Sequence, residues 1–249
     1  MSAVKVATFN IRNGLAFDWL HSWPFRRRAT LAAIADLDAD VVGLQEAYGF
    51  QLRWLTARLR DTHAVGEGRS PKRQGEHTPI LVRGATLDLA GSTTRWFGET
   101  ADTPGTRLVG ARFPRIATTA RVRLAEGTEL SVTNTHLDER SKSRRLESVS
   151  QLLGWLAVDR CPQVVLGDFN STATSAVIAR FAEAGFTRID SGLGGTVHSF
   201  TGRNDGRALD HILVRGPIDV IAAGVSYTRP SGALASDHWP VWAELDVRA

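Results

Sequence analysis

A single cysteine, Cys161, occurs among the 249 residues. It has no partner for an internal disulfide, so nothing here stabilises the chain in an oxidising compartment and a reducing cytoplasm is the expected location. No export signal is expected either. Met1 leads almost directly into the alternation Val4, Val6, Thr8, with no basic flank, apolar stretch and small-residue cleavage site before it. No uninterrupted apolar run approaches the ~18 residues that a membrane span needs, so no span is expected. Cys/His spacing of the kind that builds a structural zinc site is absent. So are a Pro/Gly/Ser-rich linker and an internal repeat, and one domain over residues 1–249 is the expectation. Charge of one sign is scarce: 30 Lys and Arg stand against 26 Asp and Glu, and a formal charge of +4 does not by itself imply an anionic partner. The basic residues do cluster, as Arg26, Arg27 and Arg28, as Arg69, Lys72 and Arg73, and as Arg140, Lys142, Arg144 and Arg145. Solvated surface accounts for such clusters as well as a nucleic-acid contact does. Nothing in the pattern marks an obligate protein partner.

What is present is 43% hydrophobic and 22% charged residues, enough for a large buried core. The patterning predicts strands at 4–10, 41–45, 80–83, 86–92, 116–124, 129–135, 164–166, 209–214, 218–227 and 239–245, and helices at 26–37, 50–59, 141–158 and 175–184. Leu146, Val149, Leu152, Leu153 and Leu156 recur at helical spacing, and Pro162 and Gly185 mark the exits of the last two helices. A turn at Glu126-Gly127-Thr128 makes a hairpin of the strands on either side of it. Parallel and antiparallel connections are both implied. The count fits an α/β fold in which two packed mixed β-sheets are flanked by helices, a four-layer sandwich. Residues 67–76 are polar and contain glycine, and they read as an exposed loop with no deducible place relative to any site.

At six places an apolar run stops abruptly at acidic, amide or imidazole groups: Phe9-Asn10, Leu44-Gln45-Glu46, Asn134-Thr135-His136, Leu166-Gly167-Asp168-Phe169-Asn170, Leu209-Asp210-His211 and Ser236-Asp237-His238. Strand ends are where α/β folds place chemistry. Any one segment alone is explained as well by a turn or a helix cap. As an ordered set, with Thr8-Phe9-Asn10-Ile11-Arg12 at its head and Asp210-His211-Ile212 near its end, the blocks resemble the signature of the endonuclease/exonuclease/phosphatase superfamily over nearly the whole chain. Gly75-Glu76 with Ile80-Leu81-Val82-Arg83, residues 96–105, and Pro114-Arg115-Ile116-Ala117 are similar to a small bacterial branch of it. The stretch Leu108-Val109-Gly110-Ala111-Arg112-Phe113 departs from the Trp- and Asp-containing segment of that branch.

The resemblance implies a DNase I-like fold and hydrolysis of P–O bonds. Glu46 is a hard carboxylate and Asn10 a neutral oxygen donor, which suits Mg2+ held by few protein ligands and several waters, with Mn2+ as a substitute. His238 is the expected base for the attacking water, since neutral imidazole is abundant near neutral pH. The resemblance pairs it with Asp210, has Asp168 orient the water, and has Asn170 and His136 donate to the phosphoryl oxygens. Asp237 is expected to assist the metal or to hold His238. Arg115, Arg207 and His198 are candidate substrate contacts. His211, next to Asp210 on a strand, should point to the opposite face. His21, His63 and His77 are read as surface, and Trp19, Trp23 and Trp96 as core or rim, with base stacking as the alternative.

The expected function is Mg2+-dependent phosphodiester hydrolysis, with DNA or RNA as the first substrate class. The alternatives are a phosphatase or phosphodiesterase acting on a small phosphorylated molecule or a phospholipid headgroup, and a catalytically inactive binding domain. His136 speaks against an abasic-site enzyme of the exonuclease III kind, which generally lacks it. Pancreatic-type deoxyribonucleases carry disulfides and export signals, and bacterial sphingomyelinases carry signals and apolar membrane-facing hairpins; the sequence shows neither set.

Overall fold

Along residues 2–10 both alternating faces are apolar: Val4 and Val6 join one cluster of buried side chains, Ala7 and Phe9 another. A strand of that kind has to be covered on both sides. The computed structural model describes residues 2–125, 127–192 and 194–248. Its elements, in chain order, are β1 (Ser2–Asn10), a 3-10 turn (Trp19–His21), α1 (Trp23–Asp36), β2 (Val41–Gln45), β3 (Ala47–Tyr48), α2 (Gly49–Thr56), β4 (Thr62–Val65), β5 (Glu76–His77), β6 (Ile80–Arg83), β7 (Asp88–Trp96), β8 (Ile116–Arg123), β9 (Glu129–His136), α3 (Lys142–Leu156), β10 (Gln163–Asp168), α4 (Ala176–Glu183), β11 (Thr187–Arg188), β12 (Asp210–Arg215), β13 (Ile218–Val225) and β14 (Val241–Val247).

One six-stranded sheet has the order β13-β14-β1-β2-β6-β4, the other β11-β12-β10-β9-β8-β7, and β3 pairs with β5 in a small ladder. Each large sheet has a parallel pair at its centre, β1 with β2 and β9 with β10, and antiparallel neighbours outside it. Aliphatic side chains of the two inner faces meet in one cluster, among them Val6, Val41, Val132, Leu166, Ile212 and Ala243. On the outer faces, α1 and α2 bury Trp23, Ala33, Ile34 and Leu55 against Ala7, Phe9, Val42 and Leu44, while α3 and α4 bury Val149, Leu152, Val177 and Phe181 against Val165 and Leu213. The α/β four-layer sandwich expected from the patterning is therefore the one the chain builds. No helix among the described residues is long and apolar enough to cross a membrane.

Departures from the sequence reading have local causes. Helix α1 starts at Trp23, before the expected residue 26, because Pro24 suits a first turn whose N–H groups have no intrahelical partner. Strands β3, β4, β5 and β11 have at most four residues each and no clear alternation for a pattern to register. Of the turn after β8, Glu126 lies outside the described residues; its neighbour Gly127 has φ +84° and donates to the Leu124 carbonyl. Arg26 is not part of a solvated basic cluster. It is 2% exposed, and its guanidinium donates to the carbonyls of Ile11 (2.6 Å), Arg12 (2.7 Å) and Ala235 (3.1 Å).

Candidate active site

The rows of side chains that face the opposite sheet start apolar and finish polar. They read Val4, Val6, Thr8, Asn10 on β1; Leu130, Val132, Asn134, His136 on β9; and Val164, Leu166, Asp168 on β10. Strand β12 runs antiparallel to β10 and delivers Val214, Ile212 and then Asp210. Register sets His136, Asp168 and Asp210 side by side across three neighbouring strands, with Asp168 opposite both of the others. A strand repeats its face every second residue, so the sandwich core continues directly into the site.

Between core and site lies a buried polar floor. The Asn134 amide donates to the carbonyls of Leu44 (2.7 Å) and Pro79 (2.8 Å) and accepts from Gln45 Nε2 (2.6 Å), which lies 2.9 Å from Thr8 Oγ1. These bonds tie the two sheets together. Gly43 makes room for them: a Cβ there would fall 2.1 Å from Leu166 Cδ1 and 2.8 Å from Asn134 Cγ. Gly167, at φ +147°, passes so close to β9 that a Cβ would meet the Thr135 carbonyl at 1.9 Å. Beyond the strand ends, Glu46 (φ +60°) and Asn170 (φ +48°) adopt the left-handed region, a conformation that costs of order 1 kcal/mol and clusters at functional sites.

Asn10 Nδ2 donates to both Glu46 Oε1 and Asp168 Oδ2, each at 3.1 Å. Glu46 Oε2 accepts from the Asn13 N–H (2.9 Å), and Asp168 Oδ1 accepts from the Asn170 N–H (2.9 Å). His136 Nε2 lies 3.6 Å and His238 Nε2 3.9 Å from Asp168 Oδ2. His238 Nδ1 sits 2.9 Å from Asp210 Oδ2, which also accepts from the Thr196 hydroxyl. Ligand atoms of Asp168, Asp210 and His238 all fall within 4.8 Å of one another, and all three residues are buried.

This crowding sets the protonation states. Burial, together with the charge of Asp210, pushes the Asp168 carboxyl up to about 7. Burial alone would lower the His238 imidazole, but the charge and hydrogen bond of Asp210, with the charge of Asp168, outweigh it and raise His238 to about 10. Burial lowers His136 well below its ordinary value, and Arg115 and Arg69 push the same way. These directions favour the imidazolium form of His238, against the expectation of a neutral ring, and the neutral form of His136.

The donor set fits a hard cation. Glu46 and Asp168 offer carboxylate oxygens on either side of the Asn10 amide, Asp210 lies beside Asp168, and Asp210 Oδ1 is a buried carboxylate oxygen with no hydrogen-bond partner. Asn10 turns its Nδ2 toward the carboxylates while its Oδ1 accepts from the Arg12 N–H (3.0 Å), so it joins an oxygen set only with its amide turned over. Asp237 stands apart from that group. Its carboxylate accepts from Ser236 Oγ (3.1 Å) and lies 3.7 Å from Arg12, and it is Asp210, not Asp237, that holds the His238 ring. The Asn170 side chain donates to the Leu137 carbonyl (3.0 Å), leaving its second amide hydrogen free of that bond.

Arg115 lines one small cavity with Glu46, Arg69, Glu76 and His136. The reading of residues 67–76 as an exposed loop holds for its tip, residues 71–74, but not for its base: Arg69 is 9% exposed, pairs with Glu76 at 2.7 Å, and brings a second guanidinium beside His136. The glycines at 68 and 75 were the signal that this segment turns back on itself, through the Gly68 to His77 bridge. His198 packs on Trp239 (4.4 Å between ring centroids) behind His238, and burial lowers it to about 4. Arg207 is exposed. His211 points to the outer face as expected, with Nε2 2.8 Å from the Ser171 carbonyl. His77 is half-buried rather than on the surface, with Nδ1 close to the carbonyls of Ala47 and Gly75. Trp23 and Trp96 are buried, while Trp19 is exposed. A larger hollow, beside Ser92, Thr119, Arg121 and Trp155, contains none of the signature residues.

A model of the Endonuclease/Exonuclease/phosphatase family matches residues 7–238. The chain belongs to this family. Members of the endonuclease/exonuclease/phosphatase family hydrolyse phosphoester bonds, and the six strand-end blocks fall within the matched span. Among solved structures, the chain is similar to a family member from Bacteroides vulgatus (30% identity over all of both chains, TM-score 0.92). It is also similar to one from Bacteroides thetaiotaomicron (27% identity over 100% of this chain and 99% of that one, TM-score 0.91). A mannosyl-6-phosphatase of Bacteroides thetaiotaomicron VPI-5482 has 27% identity over 98% of this chain and 99% of its own, with a TM-score of 0.88. No curated protein sequence matches the chain.

Proposed function

We propose that the chain is a divalent-metal-dependent hydrolase of phosphoric esters whose substrate is the phosphomonoester of a small molecule, acting as a single catalytic domain. The observation that carries this reading is the convergence of Asp168, Asp210 and His238 within 4.8 Å, with Asn10 bridging Asp168 to Glu46. Glu46, and Asn10 with its amide turned oxygen-inward, would hold Mg2+ or Mn2+, which when bound supplies positive charge opposite the phosphoryl oxygens.

The chain's own groups divide the remaining work. Asp168, with a pKa near the working pH, takes the proton of the attacking water, and Asn10 and the Asn170 N–H fix the carboxylate that does so. His238, kept protonated by Asp210, donates to a phosphoryl oxygen and can pass a proton to the departing oxygen. Neutral His136 and the free amide hydrogen of Asn170 are further donors to the phosphoryl group. Both groups are raised, the Asp168 carboxyl to about 7 and the His238 imidazole to about 10, and the gap between them leaves the carboxylate as base and the imidazolium as acid in one site.

A monoester is favoured over a nucleic-acid backbone on two grounds. The guanidiniums of Arg69 and Arg115 lie beside His136, and although each also pairs with a carboxylate, Glu76 and Glu139, their remaining forked donors suit the extra charge of a terminal phosphate. Part of each basic cluster that would track a polynucleotide is engaged internally, Arg26 on backbone carbonyls, Arg73 on Glu67, Arg144 on Asp138 and Arg140 on Glu139, while Arg27 and Arg28 are exposed. Similarity to the mannosyl-6-phosphatase supports the same reading. A nuclease acting on DNA or RNA is the second reading, favoured by the Phe113 ring, 38% exposed and flanked by Arg69 (4.6 Å) and Arg112 (5.0 Å), on which a base can stack.

Sugar phosphates, nucleotides, bis-substituted phosphodiesters, DNA and RNA assayed side by side with the wild type, His238→Ala and Asp168→Asn test this. Monoester turnover should fall by at least ~100-fold in both variants with folding intact. Cutting of DNA or RNA without monoester turnover, lost in the same variants, would replace the first reading by the second. Turnover that survives both substitutions would remove the site from the chemistry.

A further inference from the structure

Residues 15–25 carry a run of large apolar side chains at the surface. Leu15, Phe17, Trp19, Leu20 and Phe25 are 66%, 77%, 77%, 79% and 68% exposed, in a molecule whose other large apolar side chains are mostly buried. A run of that density on a soluble surface marks an interaction site. The loop is held in shape from below. Asn13 N–H donates to Glu46 Oε2 (2.9 Å), Gly14 N–H to Gln51 Oε1 (2.8 Å), and Asp18 N–H to Ser22 Oγ (2.9 Å). Arg12 grips both oxygens of Asp18 at 3.0 and 3.1 Å, and the His21 ring stacks on Phe200 at 4.5 Å. Trp19 sits at φ +51°, an unfavourable conformation for a bulky side chain. The polar groups of this segment are directed inward and tied, and its large side chains are presented outward.

We propose that this loop is a membrane-docking surface, and that its occupant is the interface of a bilayer carrying anionic lipid. Charge complementarity selects that partner. Asp18 is the one acid between residues 13 and 35, and it is consumed by Arg12, while Arg27 and Arg28 stand exposed on α1 next to Phe25. Aromatic and aliphatic side chains beside unpaired arginines, with the acid neutralised, are what a headgroup and acyl boundary accepts. A second copy of the chain fits less well, since a two-fold contact would bring arginines to arginines with no carboxylate to meet them. Stacked bases fit less well too, because Leu15 and Leu20 have no ring face to offer. The root of the loop binds Glu46, so docking would bring the site's edge to the level of the headgroups. The inference does not depend on which ester is hydrolysed.

Flotation of the intact protein with vesicles of phosphatidylcholine alone, and with added phosphatidylglycerol, tests the proposal. The wild type should float with the anionic vesicles. Phe17→Ser, Trp19→Ser and Leu20→Ser combined should weaken recovery at least ~10-fold, and Arg27→Glu with Arg28→Glu should abolish the preference for phosphatidylglycerol. Both variants should keep the circular dichroism of the wild type and its turnover of a soluble ester. Absence of wild-type binding at either composition, or equal recovery of the triple variant, would overturn the proposal. So would a loss of soluble-ester turnover in the triple variant, which makes the loop a substrate platform, or a concentration-dependent dimer that the triple variant abolishes, which makes the occupant a second copy.

Discussion

Replacing Asp210 by asparagine isolates the electrostatic core of the site. In the metal-free protein His238 is raised from 6.5 to about 10 against the pull of burial, by the charge of Asp210 and its 2.9 Å contact at Nδ1 and by the charge of Asp168. At roughly 1.4 kcal/mol per pK unit the net preference for imidazolium is about 5 kcal/mol. A histidine raised above its unfolded value stabilises the fold fully below pH 6.5, and that contribution is lost as the pH rises through about 10. Asp168 adds to the same slope. Its folded value of about 7 stands above 3.8, so the preference of the folded state for the protonated carboxyl is present below 3.8 and is lost as the pH rises through about 7. Asp210→Asn keeps the shape and removes the charge, so burial should win and leave His238 neutral at pH ~7, while Asp168 loses the neighbour that raises it. The assay is an NMR titration of the His238 ring after chelation, from about pH 5 to about pH 10, with urea unfolding over the same range. The wild type should remain protonated at pH ~8 and lose a few kcal/mol of stability by pH ~10; the variant should do neither. A wild-type His238 that titrates near its ordinary value, or a variant ring that titrates like the wild type, would refute the reasoning.

Chelation by EDTA should abolish hydrolysis and Mg2+ or Mn2+ should restore it and raise the Tm; undiminished turnover in chelator would contradict the assignment of Glu46 and Asn10. Asn134→Leu removes three buried hydrogen bonds from the floor while the Pro79 carbonyl keeps the Leu44 N–H and Gln45 keeps Thr8, so at roughly 0.5–1.5 kcal/mol per bond urea unfolding should show a loss of about 1.5–4.5 kcal/mol, and a loss below ~0.5 kcal/mol would mean the floor does not tie the sheets. Arg115→Ala should lower kcat/KM for a phosphomonoester about 10- to 100-fold, as expected of one charged hydrogen bond, and an unchanged value would exclude this guanidinium from substrate binding.

Much of the fold and of the site is legible in the amino-acid sequence. Period-two alternation along residues such as 4–10 and 129–135 defines strands and their faces. Because a face is kept to the end of its strand, the same alternation that puts Val132 and Leu166 in the core puts His136 and Asp168 in the site and turns His211 away from it. The ordered blocks from Asn10 to His238 carry the family resemblance. Where the chain doubles back without periodicity, nothing local reports the outcome: residues 67–76 bring Arg69 beside His136 through a hairpin between polar residues, and Arg26 leaves a basic run to bind three carbonyls from two distant segments.

Residue type and order were thus set by the chain itself, including which groups are available as oxygen donors, acids and bases. Which of them carries a proton was decided only in three dimensions, because a pKa depends on burial and on charges a few ångströms away, and Asp168, Asp210 and His238 become neighbours across 70 residues of chain only when β10, β12 and the segment before β14 close on one another. The same holds for the exposed loop: its apolar residues are plain in the sequence, but whether they face the core or the solvent was decided by the anchors that Glu46, Gln51 and Arg12 provide.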